Sequence, residues 1–252
     1  SFGMPRSLSL SGTGFSEGFE GSDIPEGWTL ETDTEGYDWT TSSSHHYSGS
    51  RAAYMPWHKN SDGETAWLIT PMFDFSNGTG CLMLSFWYRN AIYDSKFEEL
   101  SVCYRVSGGE WQELFKTESG HDNWIKAVTC LPEGAMKSGV EIGFKGVNHD
   151  GCGIDLDDVL LKEVEEIQYF DLTYHANGGS GTMTDANSPY CMETVVTVLP
   201  NGFTAPNHKY FHSWNTKADG SGTSFKDQAS VKINETATAK TMVLYAQWGE
   251  PI

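Results

Sequence analysis

Leu82-Met83-Leu84-Ser85-Phe86-Trp87-Tyr88 decides the fold. Leu82, Leu84, Phe86 and Tyr88 recur at every second position, the period of a β-strand whose side chains alternate between two faces. Leu100, Val102, Tyr104 and Val106 repeat the pattern, and the two apolar faces are expected to meet in one core. Outward from this pair, residues 67–70, 111–116, 124–130, 140–146 and 154–161 read as further strands. Gly, Asn, Asp, Ser or Pro bound such runs, as strands require. Many short strands at this spacing predict an all-β sandwich or jelly roll.

Residues 159–170 contain neither Gly nor Pro, and Lys162-Glu163-Val164-Glu165-Glu166-Ile167 within them reads as a short helix or as a linker. A linker is expected, because a strand pattern resumes at Tyr169-Phe170-Asp171-Leu172-Thr173-Tyr174 and the composition changes there. Two domains follow, residues 11–164 and 168–249. In the second, Asn177-Gly178-Gly179 marks a tight turn where positive φ is cheap. Trp214 and Trp248 are expected to anchor its core.

The 252 residues are 38% hydrophobic, enough for a buried core, and no run approaches the roughly 20 apolar residues that cross a bilayer. No membrane insertion is expected of this chain, and any export signal or anchor is expected outside it. A net charge of −18 opposes phosphate backbones and anionic lipid, which makes nucleic acid a poor partner. The acidity is concentrated before residue 168. Two readings of it stand side by side, solubility and the binding of a hard cation through oxygen ligands.

Cys81, Cys103, Cys130, Cys152 and Cys191 form no Cys-x-x-Cys pair, so a structural zinc site is not expected. Two disulfides with one thiol, or small buried apolar residues, both remain open. The nucleophile elbow, the His-Glu-x-x-His motif, the Walker loop and the dinucleotide-binding glycine turn are missing. A non-catalytic protein is therefore expected. The rival is a hydrolase working through paired carboxylates, which need no local motif.

Two resemblances sharpen these expectations. Gly18-Phe19-Glu20-Gly21, Ile24-Pro25-Glu26-Gly27-Trp28, Trp39-Thr40-Thr41, Tyr47-Ser48-Gly49-Ser50-Arg51-Ala52-Ala53, Trp67-Leu68-Ile69-Thr70-Pro71 and Ile154-Asp155-Leu156-Asp157-Asp158-Val159 occur in one order. This series resembles the cleaved-adhesin or choice-of-anchor J family, which includes the haemagglutinin regions of gingipains. The resemblance implies a jelly-roll module of a secreted or surface protein from a Bacteroides-type bacterium. Residues 90–145 are matched by strand pattern alone. In the second domain, Asn177-Gly178-Gly179, the run from Trp214 to Thr223 and Leu244-Tyr245-Ala246-Gln247-Trp248 resemble the Listeria–Bacteroides (internalin B-type) repeat. Ser213 and Lys209 depart from that pattern. The resemblance implies a small β-grasp-like module used as a spacer or an interaction unit, next to other surface modules.

In a jelly roll the first and last strands lie side by side, so Glu20 and Asp157 or Asp158 are expected to converge and to hold a structural Ca2+. Carbonyls of residues 21–22 and 48–50 are expected to complete its shell. Strand alternation turns Asp157 and Asp158 to opposite faces, which favours Asp157 as the side-chain ligand. The competing reading has these carboxylates capping turns. Trp57 and Tyr93 fall in loops and are expected to stack on an extracellular glycan or glycoprotein. The rivals for them are plain loop packing and a purely structural spacer. The resemblance also implies a secreted or cell-surface location, anchored to an outer membrane through a segment outside this chain.

Overall fold

A computed structural model describes residues 8–9, 14–78, 80–234 and 240–250. The chain divides into two compact units, Ser1–Glu165 and Glu166–Ile252. Residues 11–13, where the first domain is expected to begin, lie outside the described residues.

The first unit contains β1 (Leu8–Ser9), β2 (Phe15–Glu17), β3 (Thr29–Thr32), β4 (Thr40–Ser42), β5 (Ala52–Met55), β6 (Thr65–Ile69) and β7 (Phe73–Asp74). It continues with β8 (Leu82–Asn90), β9 (Glu99–Val106), β10 (Gln112–Lys116), β11 (His121–Cys130), β12 (Ser138–Val147) and β13 (Ile154–Glu163). One sheet is built around β12, with β9 and then β10 on one side and β6, β7 and β3 beyond the other. The second runs β11-β8-β13-β5-β4. There β2 pairs with residues 159–161 of β13 and β5 with residues 154–156. The first strand of this sheet is therefore hydrogen-bonded to its last.

The faces expected to meet do so. Leu82, Leu84, Phe86 and Tyr88 of β8 share a buried cluster with Leu100 and Val102 of β9, and Tyr104 and Val106 pack at its margin. Phe86 touches Phe144 edge-on at 5.4 Å across the two sheets. Dense contact of this kind makes each core position sensitive to a single methylene. The first unit is an all-β sandwich with the expected jelly-roll character. A 3-10 turn at Glu133–Ala135 is its one helical element among the described residues. The helix weighed at 162–167 does not form, because β13 runs on to Glu163 in register with Leu82.

On the outer face of the β12 sheet, Trp67 and Trp111 stack at 4.6 Å with an 18° tilt, and Arg105 lies 4.3 Å from the Trp111 ring. Gly143 makes room for them, since a Cβ there would stand 2.7 Å from Trp67 and 2.8 Å from Trp111.

The second unit contains β14 (Tyr169–His175), β15 (Tyr190–Cys191), β16 (Val195–Thr197), β17 (Tyr210–Asn215), β18 (Ser224–Phe225), β19 (Ser230–Lys232) and β20 (Thr241–Gly249). Five of them form the sheet β15-β14-β20-β17-β18, in which β14 and β20 are parallel. Trp214 is fully buried with Leu172, Leu244 and Ile233. Trp248 is partly buried, and its Nε1 donates to the carbonyls of Ala176 and Asn177 at 2.9 and 3.1 Å. Asn177 and Gly178 take positive φ at the expected turn.

Candidate functional site

Three carboxylates from the two ends of the first unit meet the turn at residues 47–50. Glu20 Oε2 accepts hydrogen bonds from Ser50 N at 2.8 Å and Ser50 Oγ at 2.9 Å. Asp157, fully buried, takes Tyr47 N at 2.8 Å and Ser48 N at 3.2 Å on Oδ2, and Asp158 N at 2.8 Å on Oδ1. Both oxygens of Asp158 accept Ser48 Oγ, at 2.9 and 2.8 Å. Gly49, at φ +61, leaves room for Glu20, whose carboxylate a Cβ would strike.

The expectation that Asp157 and Asp158 face opposite ways is corrected here. Register slips between Asp157 and Leu160, and Asp158 takes φ +45, so a bulge inserts one extra residue and returns both carboxylates to the same turn. The Gly21 carbonyl, expected in a cation shell, is already engaged by Thr41 Oγ1 at 2.8 Å and Arg51 Nε at 3.0 Å.

The electrostatics separate these groups. Hydrogen bonds from Ser50 hold the Glu20 carboxyl below its ordinary range. Burial pushes Asp157 up, against the opposing pull of the Ser48 and Tyr47 amides. No ion pair among the described residues involves Glu20, Asp157 or Asp158. The donor set is thus oxygen-rich and without a cationic side-chain partner. Glu20 Oε1 and Asp158 Oδ1 both lie within 4.0 Å of where a Cβ on Gly18 would stand. Among the described residues, however, no three His, Cys, Asp or Glu groups gather as a ready-made cage.

The clasped turn carries Tyr47 onto the outer face of the β11-β8-β13-β5-β4 sheet. Its ring stacks on Trp87 at 3.8 Å and 13°, with Trp124 edge-on at 6.1 Å. Trp87 faces outward because Phe86 and Tyr88 on either side face the core. Tyr47 remains 43% exposed above the stack. Asp157 lies opposite Trp87, and one pleat along, Asp155 lies opposite Arg89 on one side and Tyr54 on the other. Arg89 Nη1 reaches Asp155 Oδ2 at 3.2 Å, and its Nε donates to the Asp122 carbonyl at 2.7 Å. His45 Nδ1 stands 3.8 Å from Asp155 Oδ1. Burial raises the Asp155 carboxyl to about 6, against the lowering effect of Arg89.

Trp57 and Tyr93 are 42% and 63% exposed. They leave β5 and β8 at the end of the sheet where β13 begins, since β13 is antiparallel to both. Their loops share Asp150, which accepts Asn60 N at 3.1 Å and Lys96 Nζ at 3.4 Å. Fully buried Glu98 pins the neighbouring turn through Gly151 N at 2.6 Å and Gly153 N at 2.7 Å. The structure therefore gathers Glu20, Asp157 and Asp158 on one turn and sets Trp57 and Tyr93 at one end of the sheet.

Sequence reasoning missed Tyr47, Trp87, Trp124, Arg89 and Asp155. One signal was available. The alternation that buries Leu84, Phe86 and Tyr88 also puts Trp87 and Arg89 on the opposite face, an aromatic ring and a guanidinium side by side on a solvent-facing strand. Nothing local announced Tyr47, whose place depends on carboxylates more than a hundred residues away.

A family model described as MAM domain, meprin/A5/mu, matches residues 18–165. No curated protein matches the chain. Among solved structures, the K1 cleaved adhesin domain of Lys-gingipain from Porphyromonas gingivalis W83 is similar at 23% identity and a TM-score of 0.50, over 61% of this chain and 99% of that one. The K3 cleaved adhesin domain of the same protein follows at 18% and 0.48, over 59% and 98%. The CBM22-1 xylan-binding domain of Paenibacillus barcinonensis Xyn10C stands at 14% and 0.43, over 62% and 99%. The K1 domain shares the fold of the first unit, a β-sandwich of jelly-roll character.

Proposed function

The chain belongs, through residues 18–165, to the MAM domain (meprin/A5/mu) family, and from that premise we propose that its first unit is a non-catalytic, adhesin-like module that binds an extracellular glycan or the glycan of a glycoprotein. The observation that carries the reading is the outward stack of Tyr47 on Trp87, flanked by Trp124 and bordered by the Arg89–Asp155 pair. Aromatic faces take the apolar face of a sugar ring, and fixed polar groups beside them set its orientation. Trp57 and Tyr93 extend the surface at one end of the same sheet.

A structural calcium belongs to the proposal. Glu20 and Asp158 would hold it with carbonyls of the 48–50 turn, while Asp157 shapes that turn through its backbone amides. The ion would neutralise the acidic clasp and brace the turn that carries Tyr47. The second unit is proposed as a Listeria–Bacteroides-type repeat with a β-grasp-like core, acting as a spacer or contact module. The parallel pairing of β14 with β20, its first and last strands, supports that reading. The whole is proposed to work outside the cell, secreted or held at the cell surface.

The test is an array of neutral and acidic glycans probed with the full chain. Trp87→Ala and Tyr47→Ala should each weaken binding at least about tenfold, with thermal unfolding retained. Undiminished binding in both variants would overturn the assignment of the face.

A further inference from the structure

The solvent-facing charge beside the aromatic stack is positive, on a chain that holds 16 Lys and Arg against 34 Asp and Glu. Lys126 of β11 stands directly across from Trp87 of β8, which in an antiparallel pair sets their Cβ atoms about 5 Å apart on one face. Lys126 is exposed and enters no ion pair among the described residues. Trp124, two residues before it on the same strand, meets Tyr47 edge-on, so the ammonium belongs beside the aromatic cluster.

The carboxylates of this face are buried or already engaged. Asp157, across from Trp87 on the other flank, is fully buried and turned to backbone amides. Asp158 holds Ser48 with both oxygens. Asp155 gives Oδ2 to Arg89, and its Oδ1, buried and without a hydrogen-bond partner among the described residues, is closed to a ligand. Asp122, four residues before Lys126, accepts the Ile92 amide at 3.0 Å. Arg89 is likewise committed, to Asp155 and to the Asp122 carbonyl. Lys126 keeps its charge for something outside the chain.

Tyr47 covers Trp87, yet it is itself 43% exposed and presents its own ring to solvent. A sugar ring lying on Tyr47 takes its apolar contact there. The flexible four-carbon stem of Lys126 then lets the ammonium meet an acidic group projecting from the ring edge. The net charge of −18 narrows the ligand further, since it opposes a polyanion as a whole but leaves a single charge free to pair locally.

We infer that Lys126 is the anion-reading position of this face, and that the glycan it selects carries an isolated acidic residue, a carboxylate or a sulfate ester within an otherwise neutral chain. This rests on the glycan-binding reading of the same face.

The experiment titrates the full chain, by NMR at about 0.15 M salt, with sugars matched except for the acidic group: sialyllactose against lactose, methyl glucuronide against methyl glucoside, and a sulfated methyl galactoside against methyl galactoside. In at least one pair the acidic member should bind about three- to tenfold more tightly, the range between an exposed ion pair and a hydrogen bond to a charged group; the pair that responds tells carboxylate from sulfate. Lys126→Gln should bring that acidic sugar level with its neutral match, and Lys126→Arg should restore the preference. If acidic and neutral members bind within twofold of each other in every pair, the anion-reading position is refuted and the glycan-binding face stands. A preference that survives Lys126→Gln also refutes it. A heparin oligosaccharide bound more than tenfold better than every singly charged sugar overturns the isolated acidic residue. Silence toward all the sugars overturns both the position and the face.

Discussion

Asp155→Asn should make the first unit more stable. The Asp155 carboxyl titrates at about 6 in the folded protein, because burial disfavours its charge more than Arg89 favours it. An unstructured chain ionises the same group near 3.9. That difference corresponds to about 3 kcal/mol of folding free energy withheld at neutral pH. The contribution is present below the unfolded value and is lost as pH rises through the folded one, so the relevant window lies between about 4 and 6. An amide at this position carries no charge to desolvate, yet still offers an oxygen to Arg89. Urea unfolding followed by tryptophan fluorescence at pH 7 should place the variant about 1 to 3 kcal/mol above wild type. On lowering the pH to 5 the gap should narrow, as the wild-type carboxyl takes up its proton. The groups facing Asp155 are Arg89, His45 and Tyr54, and burial lowers the pKa of His45, so a His45→Gln background separates its titration from that of Asp155. A variant less stable than wild type at pH 7, with a gap indifferent to pH, would refute the reasoning.

Asp157→Ala removes the acceptor of three backbone amides in a fully buried position and should cost about 3 to 5 kcal/mol in urea unfolding; a loss below about 1 kcal/mol would mean that the turn holds itself. Gly143→Ala should push the Trp67–Trp111 stack off the sheet, at a cost of about 1 to 3 kcal/mol and with a change in near-ultraviolet circular dichroism. Calcium at a hundredfold excess over its Kd should add about 2.7 kcal/mol, read as a higher melting temperature that a chelator reverses and that Glu20→Ala abolishes. A melting temperature indifferent to chelation removes the ion from the proposal.

The core was legible in the sequence and the site only in part, for a reason visible on β8. Alternation is a local property, so Leu82, Leu84, Phe86 and Tyr88 announced a buried face without knowledge of any partner strand. The same alternation contains Trp87 and Arg89, but a sequence does not say whether an outward face lies bare or beneath a loop. Tyr47 shows why: its ring is positioned by Asp157 and Asp158, which act together only because a bulge departs from the pattern that made the strands readable. Asp155 was hidden for a related reason. Its significance lies in a missing partner, and a missing partner becomes visible only once every neighbour has been placed.

The clasp also sets an order of assembly. The hydrogen bond from Tyr47 to Asp157 closes 110 residues of chain, whereas the cores of β8, β9 and β11 close over far shorter separations. Long closures come late, since their entropic cost is met only after nearer contacts have formed. A chain emerging from the ribosome can build the β12 sheet and pair β8 with β11 before residue 157 has been synthesised, yet β2 and the β4–β5 pair still lack the strand that joins them to β8, and nothing draws Tyr47 onto Trp87. Truncation just before β13 would therefore leave the aromatic surface unformed even where strands persist. Stacking on Trp87 then reports that the final strand has docked, and the aromatic surface becomes a property that only the finished domain possesses.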